Sequence, residues 1–205
     1  MERRNPLREI TRMIVVLTAI SVASGLVLSF VDKFTKDPIE YQKLKFVKGP
    51  AVLAVLTDYD NDPIKEYKKN VILEKKENSV ITKILFPAKR KGKLTGVAFE
   101  VTGQGYHGSL GIMIGIDIQR NILTGMRVMT HSETPGLGAR AVEPSFYSQF
   151  SGLRIDDIAL SDRGGKINAI SGATMTSQGV VKAVKEGMHL YLRSRKKMID
   201  ALKTG

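Results

Sequence analysis

Cysteine and tryptophan are absent from this 205-residue chain, and histidine occurs only three times. Without cysteine there is no disulfide framework, no thiolate metal site and no cysteine nucleophile. His107, His131 and His189 are too scattered for a histidine-based metal centre, so no metal site is expected. Aromatic residues make up 6% of the chain, which argues against the nucleic-acid partner that a net charge of +12 would otherwise suggest. The basic residues are also dispersed: Arg3, Arg4, Arg8 and Arg12 at the start, a cluster from Lys65 to Lys76, and another from Arg193 to Lys197. They form no single stripe. A solvated basic surface, or contact with anionic lipid or an acidic protein, is expected instead of nucleic acid. Any chemistry must then come from hydroxyls, carboxylates, backbone groups or a borrowed cofactor.

Charge is missing altogether from Met13 to Val31, MIVVLTAISVASGLVLSFV. At a rise of about 1.5 Å per residue that run comes close to the ~30 Å of bilayer hydrocarbon. Four arginines precede it and Asp32-Lys33 follow. The excess of positive charge on the short flank predicts residues 1–12 in the cytoplasm, residues 13–31 as a transmembrane helix, and everything after on the outer side. Ser21-Val22-Ala23 offers small residues to a signal peptidase, but the triplet lies inside the apolar run and not in a polar stretch after it, so an uncleaved anchor is the reading preferred.

Residues 32–60 read as connecting helices broken at Gly49-Pro50, and residues 61–205 as the body. Asn61 to Asn78 reads as a loop or an irregular strand. Four strands follow, over Ser79–Phe86, Leu94–Thr102, Gly111–Ile118 and Ile122–Thr130, with short joins typical of an antiparallel meander. Glu143 to Phe150 reads as a helix. Val180, Val181, Val184, Met188, Tyr191 and Leu192 mark one apolar face of a long last helix. The fold class expected is α+β, an antiparallel sheet with helices packed on it, behind one transmembrane helix.

Three motifs bear on function. Gly103-Gln104-Gly105-Tyr106-His107-Gly108 has the spacing of a dinucleotide loop, but a strand follows it where that loop needs a helix. A glycine-rich hairpin that lets backbone approach a flat ligand is expected. In Thr130-His131-Ser132-Glu133-Thr134-Pro135-Gly136-Leu137-Gly138, the segment Thr134-Pro135-Gly136-Leu137 has type II turn chemistry. The loop suits hydrogen bonding to the edge of a ligand ring better than metal or acid–base work. Ser171-Gly172-Ala173-Thr174-Met175-Thr176-Ser177 puts four hydroxyls at the start of the last helix. One hydroxyl is enough for an N-cap, while several, together with free amides and the positive end of the helix dipole, suit a phosphate. Physical reasoning leaves capping and phosphate binding both open.

In combination, the S-G-A-T-x-T-S segment, the H-x-E-T-P-G-L-G loop and the N-terminal anchor resemble the G subunit of Rnf-type ion-translocating electron-transport complexes. That family is related to the C subunit of the sodium-pumping NADH:quinone reductase. The resemblance implies an FMN-binding domain outside the cytoplasm, with FMN joined covalently through its phosphate to Thr174. Ser171, Gly172 and Ala173 complete the attachment motif, with Thr176 and Ser177 on the phosphate side. Glu133, Thr134, Gly136, Leu137 and Gly138 would line the isoalloxazine ring, with Tyr106 joining them from the hairpin. A separate flavin transferase would make the bond from FAD. The implied function is electron relay within a ferredoxin:NAD⁺ oxidoreductase complex that moves Na⁺ or H⁺, with the other subunits as partners and no complete active site in this chain. A stand-alone anchored extracellular reductase with the same covalent FMN is the alternative, and a non-enzymatic anchored binding module a third. Arg140, two residues past the loop, is expected to stabilise negative charge on the reduced ring. Asn168 departs from the family pattern, in which an acidic residue usually stands three positions before the serine of the attachment motif.

Overall fold

The computed structural model describes residues 6–76 and 79–203. The chain divides into two units after Lys43. In the first unit, helix α1 (Pro6–Gln42) contains the uncharged run. Its stretch Glu9–Thr35 is long and apolar enough to cross a membrane, and no part of its most apolar window is buried in protein. A helix that is apolar all round has to bury that surface in protein or in lipid. The Thr35 hydroxyl donates back to the Val31 carbonyl at 2.8 Å, which satisfies this polar group within the helix itself. Residues 1–5 of the expected cytoplasmic flank, with Arg3 and Arg4, lie outside the described residues.

The second unit runs from Leu44 onward. Its short helix α2 (Gly49–Val55) starts with Pro50 in the first turn, where a missing N–H costs nothing. Five strands follow: β1 (Lys68–Lys76), β2 (Ser79–Arg90), β3 (Lys93–Gln104), β4 (Ser109–Asp117) and β5 (Ile122–Thr130). They lie in the sheet in chain order, each antiparallel to its neighbours. Helix α3 (Pro144–Tyr147) is shorter than the helix expected to Phe150, because the chain tightens into a 3₁₀ turn over Ser148–Phe150. Helix α4 (Thr174–Lys203) closes the domain. This is the α+β architecture that the alternation and turn chemistry predict.

The sheet is covered on both faces. Val97, Phe99 and Val101 of β3 and Ile112, Ile114 and Ile116 of β4 join the core shared with α4. Ala98 and Met113, one residue out of step, join a second core with Val52, Val55 and Leu56 around α2. The period of two along each strand sorts the side chains between these cores. Helix α2, which the sequence reads as one of the connecting helices of residues 32–60, is therefore packed against the sheet. On α4, Leu190 faces the core and Leu192 is exposed, which reverses the expectation for Leu192.

Strand β1 lies where the sequence suggests a loop or an irregular strand. Two register shifts against β2, between Lys68 and Val71 and between Ile72 and Glu74, interrupt its alternation and hide its period. Its lysines occupy a sheet edge, a common defence against strand addition.

The β4–β5 turn is tied to α4. Asp117 accepts the amides of Gln119 at 2.8 Å and Arg120 at 2.9 Å, and Asn121 takes a left-handed conformation with φ of 54°. The Tyr191 hydroxyl donates to Asn121 Oδ1 at 2.9 Å and accepts from Arg195 Nε at 3.2 Å, while Arg195 also donates to the Ile118 carbonyl at 2.8 Å. Tyr191 itself is fully buried. Removing its hydroxyl in Tyr191→Phe is expected to cost about 1–2 kcal/mol. Chemical denaturation of the detergent-solubilised chain measures this, and an unchanged midpoint would show that the network adds nothing.

Candidate functional site

The residues preceding α4 fold as a tight turn. The Ala173 amide donates to the Ile170 carbonyl at 2.9 Å, and Gly172 has φ of 77°, the geometry of a type II turn with glycine at its third position. Ser177, fully buried in the first turns of α4, locks the turn in place. Its hydroxyl donates to the Ala173 carbonyl at 3.0 Å and accepts the Ile170 amide at 2.9 Å. Gly172 and Ser177 thus explain the motif locally, one by its backbone and the other by its hydroxyl. They leave Ser171 and Thr174 exposed to solvent.

The loop after β5 makes the second turn. The Leu137 amide donates to the Thr134 carbonyl at 3.2 Å, and Gly136 has φ of 74°. This is the type II turn expected of Thr-Pro-Gly-Leu. Just before it, Glu133 is buried, with 6% of its surface exposed. Its carboxylate accepts the Thr176 hydroxyl at 2.5 Å, the His107 amide at 2.9 Å and the Tyr106 amide at 3.3 Å. One side chain therefore joins the β3–β4 hairpin, the loop after β5 and the start of α4. Burial pushes the Glu133 carboxyl up in pKa, but the Thr176 hydroxyl and the two amides outweigh it and hold the group below the usual glutamate range.

Glycines make this junction possible. A Cβ at Gly105 would stand 2.5 Å from Glu133 Oε1, and one at Gly138 would stand 2.5 Å from Glu133 Oε2 and 2.7 Å from Thr176 Oγ1. The glycines of the hairpin thus admit the protein's own carboxylate, where the sequence suggests room for a flat ligand.

Around the junction lies a cavity of about 480 Å³, lined by Tyr106, Glu133, Thr134, Leu137, Gly138, Gly172, Ala173, Thr174, Met175 and Thr176. Its volume falls within the ~300–1,000 Å³ typical of small-molecule sites. The three motifs, distant in sequence, meet here. Tyr106, Leu137 and Met175 are 65%, 46% and 59% exposed, an unusual concentration of open apolar surface at one mouth. The hydroxyl of Thr134 lies 3.2 Å from His107 Nδ1.

Some expected residues sit elsewhere. Gly136 forms the turn and does not line the cavity. Ser177 faces inward, and its hydroxyl is taken up by the turn. Thr176 lines the cavity, but its hydroxyl is committed to Glu133. Ser171, Asn168 and Arg140 line a neighbouring cavity of about 470 Å³, so Arg140 is not in the wall beside Thr174. Its Nε lies 3.3 Å from Glu143 Oε2. Met175 and His107 escape motif reading. Their only sequence signal is position, Met175 between two threonines of the motif and His107 beside Tyr106 in the hairpin.

Comparison with known proteins places this geometry in a family. The family model described as an FMN-binding domain matches residues 105–189, which take in the hairpin tip, the loop and the first half of α4. The G subunit of the ion-translocating oxidoreductase complex of Methanosarcina acetivorans is 32% identical, over 86% of this chain and 92% of its own length. Its namesake from Buchnera aphidicola is 31% identical, over 90% and 89%. The chain belongs to this family of G subunits. Its fold is also that of two solved structures. NqrC of Shewanella oneidensis has a TM-score of 0.57 at 17% identity, covering 80% of this chain and 99% of that one. The C subunit of the Na⁺-translocating NADH-quinone reductase of Parabacteroides distasonis has a TM-score of 0.56 at 20% identity, covering 84% and 96%.

Because the folded-state pKa of Glu133 is depressed, its stabilisation is complete above the ordinary glutamate pKa of about 4.3 and is lost as pH falls below that, through the depressed value. Stability measured against pH should therefore fall more steeply in the native chain than in Glu133→Gln on the acid side of about pH 4.3. Parallel acid limbs would refute this. Glu133→Ala, which orphans two amides and a hydroxyl, should cost roughly 2–4 kcal/mol near neutral pH in the same measurement.

Proposed function

We propose that this chain is the membrane-anchored, FMN-carrying electron-transfer subunit of an ion-translocating oxidoreductase complex. The flavin is held through a phosphoester to Thr174 on the outer side of the membrane. The observation that carries the reading is the place of Thr174: an exposed hydroxyl at the first position of a 30-residue helix, on the wall of the cavity. The positive end of that helix favours a phosphate at this position.

The residues present fit the group. Thr174 supplies the oxygen for attachment, and the exposed side chains of Tyr106, Leu137 and Met175 supply apolar surface for a flat ring system. Thr134 supplies a hydroxyl on the same wall. Bound there, FMN would provide one- and two-electron redox chemistry, while the protein contributes position and electrostatics. Thr176 and Ser177 act indirectly, by holding the turn that presents Thr174. Bond formation by a separate flavin transferase would exchange the Thr174 hydroxyl proton for the flavin phosphorus, with FAD as donor and AMP as leaving group. The solvent exposure of Thr174 suits a residue that another protein must reach.

Three features support the membrane and complex assignments: the apolar helix α1, the arginines ahead of the uncharged run and the shared name of the relatives. A covalent tether suits a cofactor on the outer side, where a dissociated flavin would be lost.

Co-expression with a flavin transferase should yield a yellow chain whose flavin fluorescence survives denaturation, with peptide mass spectrometry placing FMN on Thr174. Thr174→Ala should lose the adduct completely while keeping its thermal stability. An adduct on Thr176 or Ser171, or none at all with an active transferase, would overturn the attachment proposed.

A further inference from the structure

Glu133 is in the wall of the cavity, yet three donors from the hairpin and α4 occupy its carboxylate. Among the described residues that line the cavity it is the one carboxylate, and no lysine or arginine lines the wall with it. Arg140, the nearest arginine in sequence after the loop, lines the neighbouring cavity beside Glu143. The cavity therefore contains a fixed negative charge that is hydrogen-bonded but not paired with a lysine or arginine of its wall, the His107 ring being the cationic group that bears on it.

We propose that Glu133 is a positioning residue that also sets the redox potential of the site, its fixed negative charge keeping a flavin in this cavity hard to reduce. The proposal rests on the reading that flavin occupies the cavity. In the reaction concerned, one electron passes from a reduced one-electron carrier to the flavin. The carrier is oxidised by one electron and no bond is made or broken. The flavin becomes one unit more negative unless a proton follows. A carboxylate in the same wall opposes that added charge. At an effective dielectric of about 20, a unit charge some ~10 Å away changes such an equilibrium by about tenfold. The His107 and Tyr106 amides and the Thr176 hydroxyl keep the carboxylate ionised, so the charge persists through the neutral pH range. This gives the glycines at 105 and 138 a reason beyond packing: they admit a charge into a site where a larger residue would exclude it.

The test is a spectroelectrochemical titration of the full-length, flavinylated chain in detergent, with dithionite as reductant and soluble mediators. Glu133→Gln keeps the shape of the side chain and removes its charge. Its first-electron potential should rise by about tenfold in the equilibrium constant, or ~59 mV. Thr176→Val leaves the His107 and Tyr106 amides to hold the carboxylate ionised and removes the hydroxyl that partly neutralises it, so its potential should fall. A purely structural role for Glu133 would move both variants in the same direction. Thr176→Val decides the question alone if Glu133→Gln does not fold. An unmoved or lowered potential in Glu133→Gln, or a raised one in Thr176→Val, overturns the inference. If the native chain carries flavin and neither variant shifts, the proposed function stands and this inference falls. If the native chain carries no flavin after co-expression with an active transferase, both fall.

Discussion

The arrangement at the site depends on one buried carboxylate. Glu133 gathers an amide pair from the β3–β4 hairpin and a hydroxyl from the first turn of α4, and Thr134 Oγ1, 3.2 Å from His107 Nδ1, adds a second polar link between its loop and the hairpin. Burying a carboxylate is costly unless donors replace its hydration, and three donors do so here. The consequence is geometric. With the hairpin tip, the loop after β5 and the start of α4 pinned to one side chain, the space between them is set by directed polar contacts as well as by close packing.

Those contacts also divide the hydroxyls of the SGATMTS segment into two pairs. Thr176 and Ser177 turn inward, Thr176 to Glu133 and Ser177 to the turn at Ile170–Ala173. Ser171 and Thr174 turn outward into two different cavities. The excess of hydroxyls over what a helix cap needs therefore has two causes. The inner pair builds the support, and the outer pair is what the support presents. A phosphate at Thr174 would meet a helix end whose Thr176 hydroxyl is already committed, which leaves the attachment oxygen and the helix dipole as its main attractions.

Much of this is legible in the chain, for identifiable reasons. Strands β2 to β5 announce themselves by β-branched residues and short polar joins, and β5 runs over the residues expected. The type II turn at Thr134–Leu137 follows from Pro and Gly at fixed positions, a rule local enough to read without a structure. Strand β1 is obscured because its bulges break the period that would reveal it. Helix α2 reads as a connector because only the back face of the sheet shows that Val52 and Val55 have somewhere to pack. The central role of Glu133 is invisible for a related reason. Its partners lie 26, 27 and 43 residues away, and no periodicity or short motif encodes contacts at that range.

The double-sided sheet explains why this site can be both open and well placed. Strands β3 and β4 have core on both faces, so the hairpin between them extends from the most deeply packed part of the domain. Helix α4 crosses the same strands, and its contact with them begins where the backbone of Gly103 and Gly179 comes close enough to exclude a Cβ, with Gly179 O at 2.8 Å from the ideal position at Gly103. Both walls of the cavity are thus ends of rigid elements, while its mouth, at Tyr106, Leu137 and Met175, is exposed. A cofactor that exchanges electrons with other proteins needs that combination. A rigid floor fixes its environment and limits reorganisation on each transfer, and an open apolar rim lets a partner come near without a lid having to move.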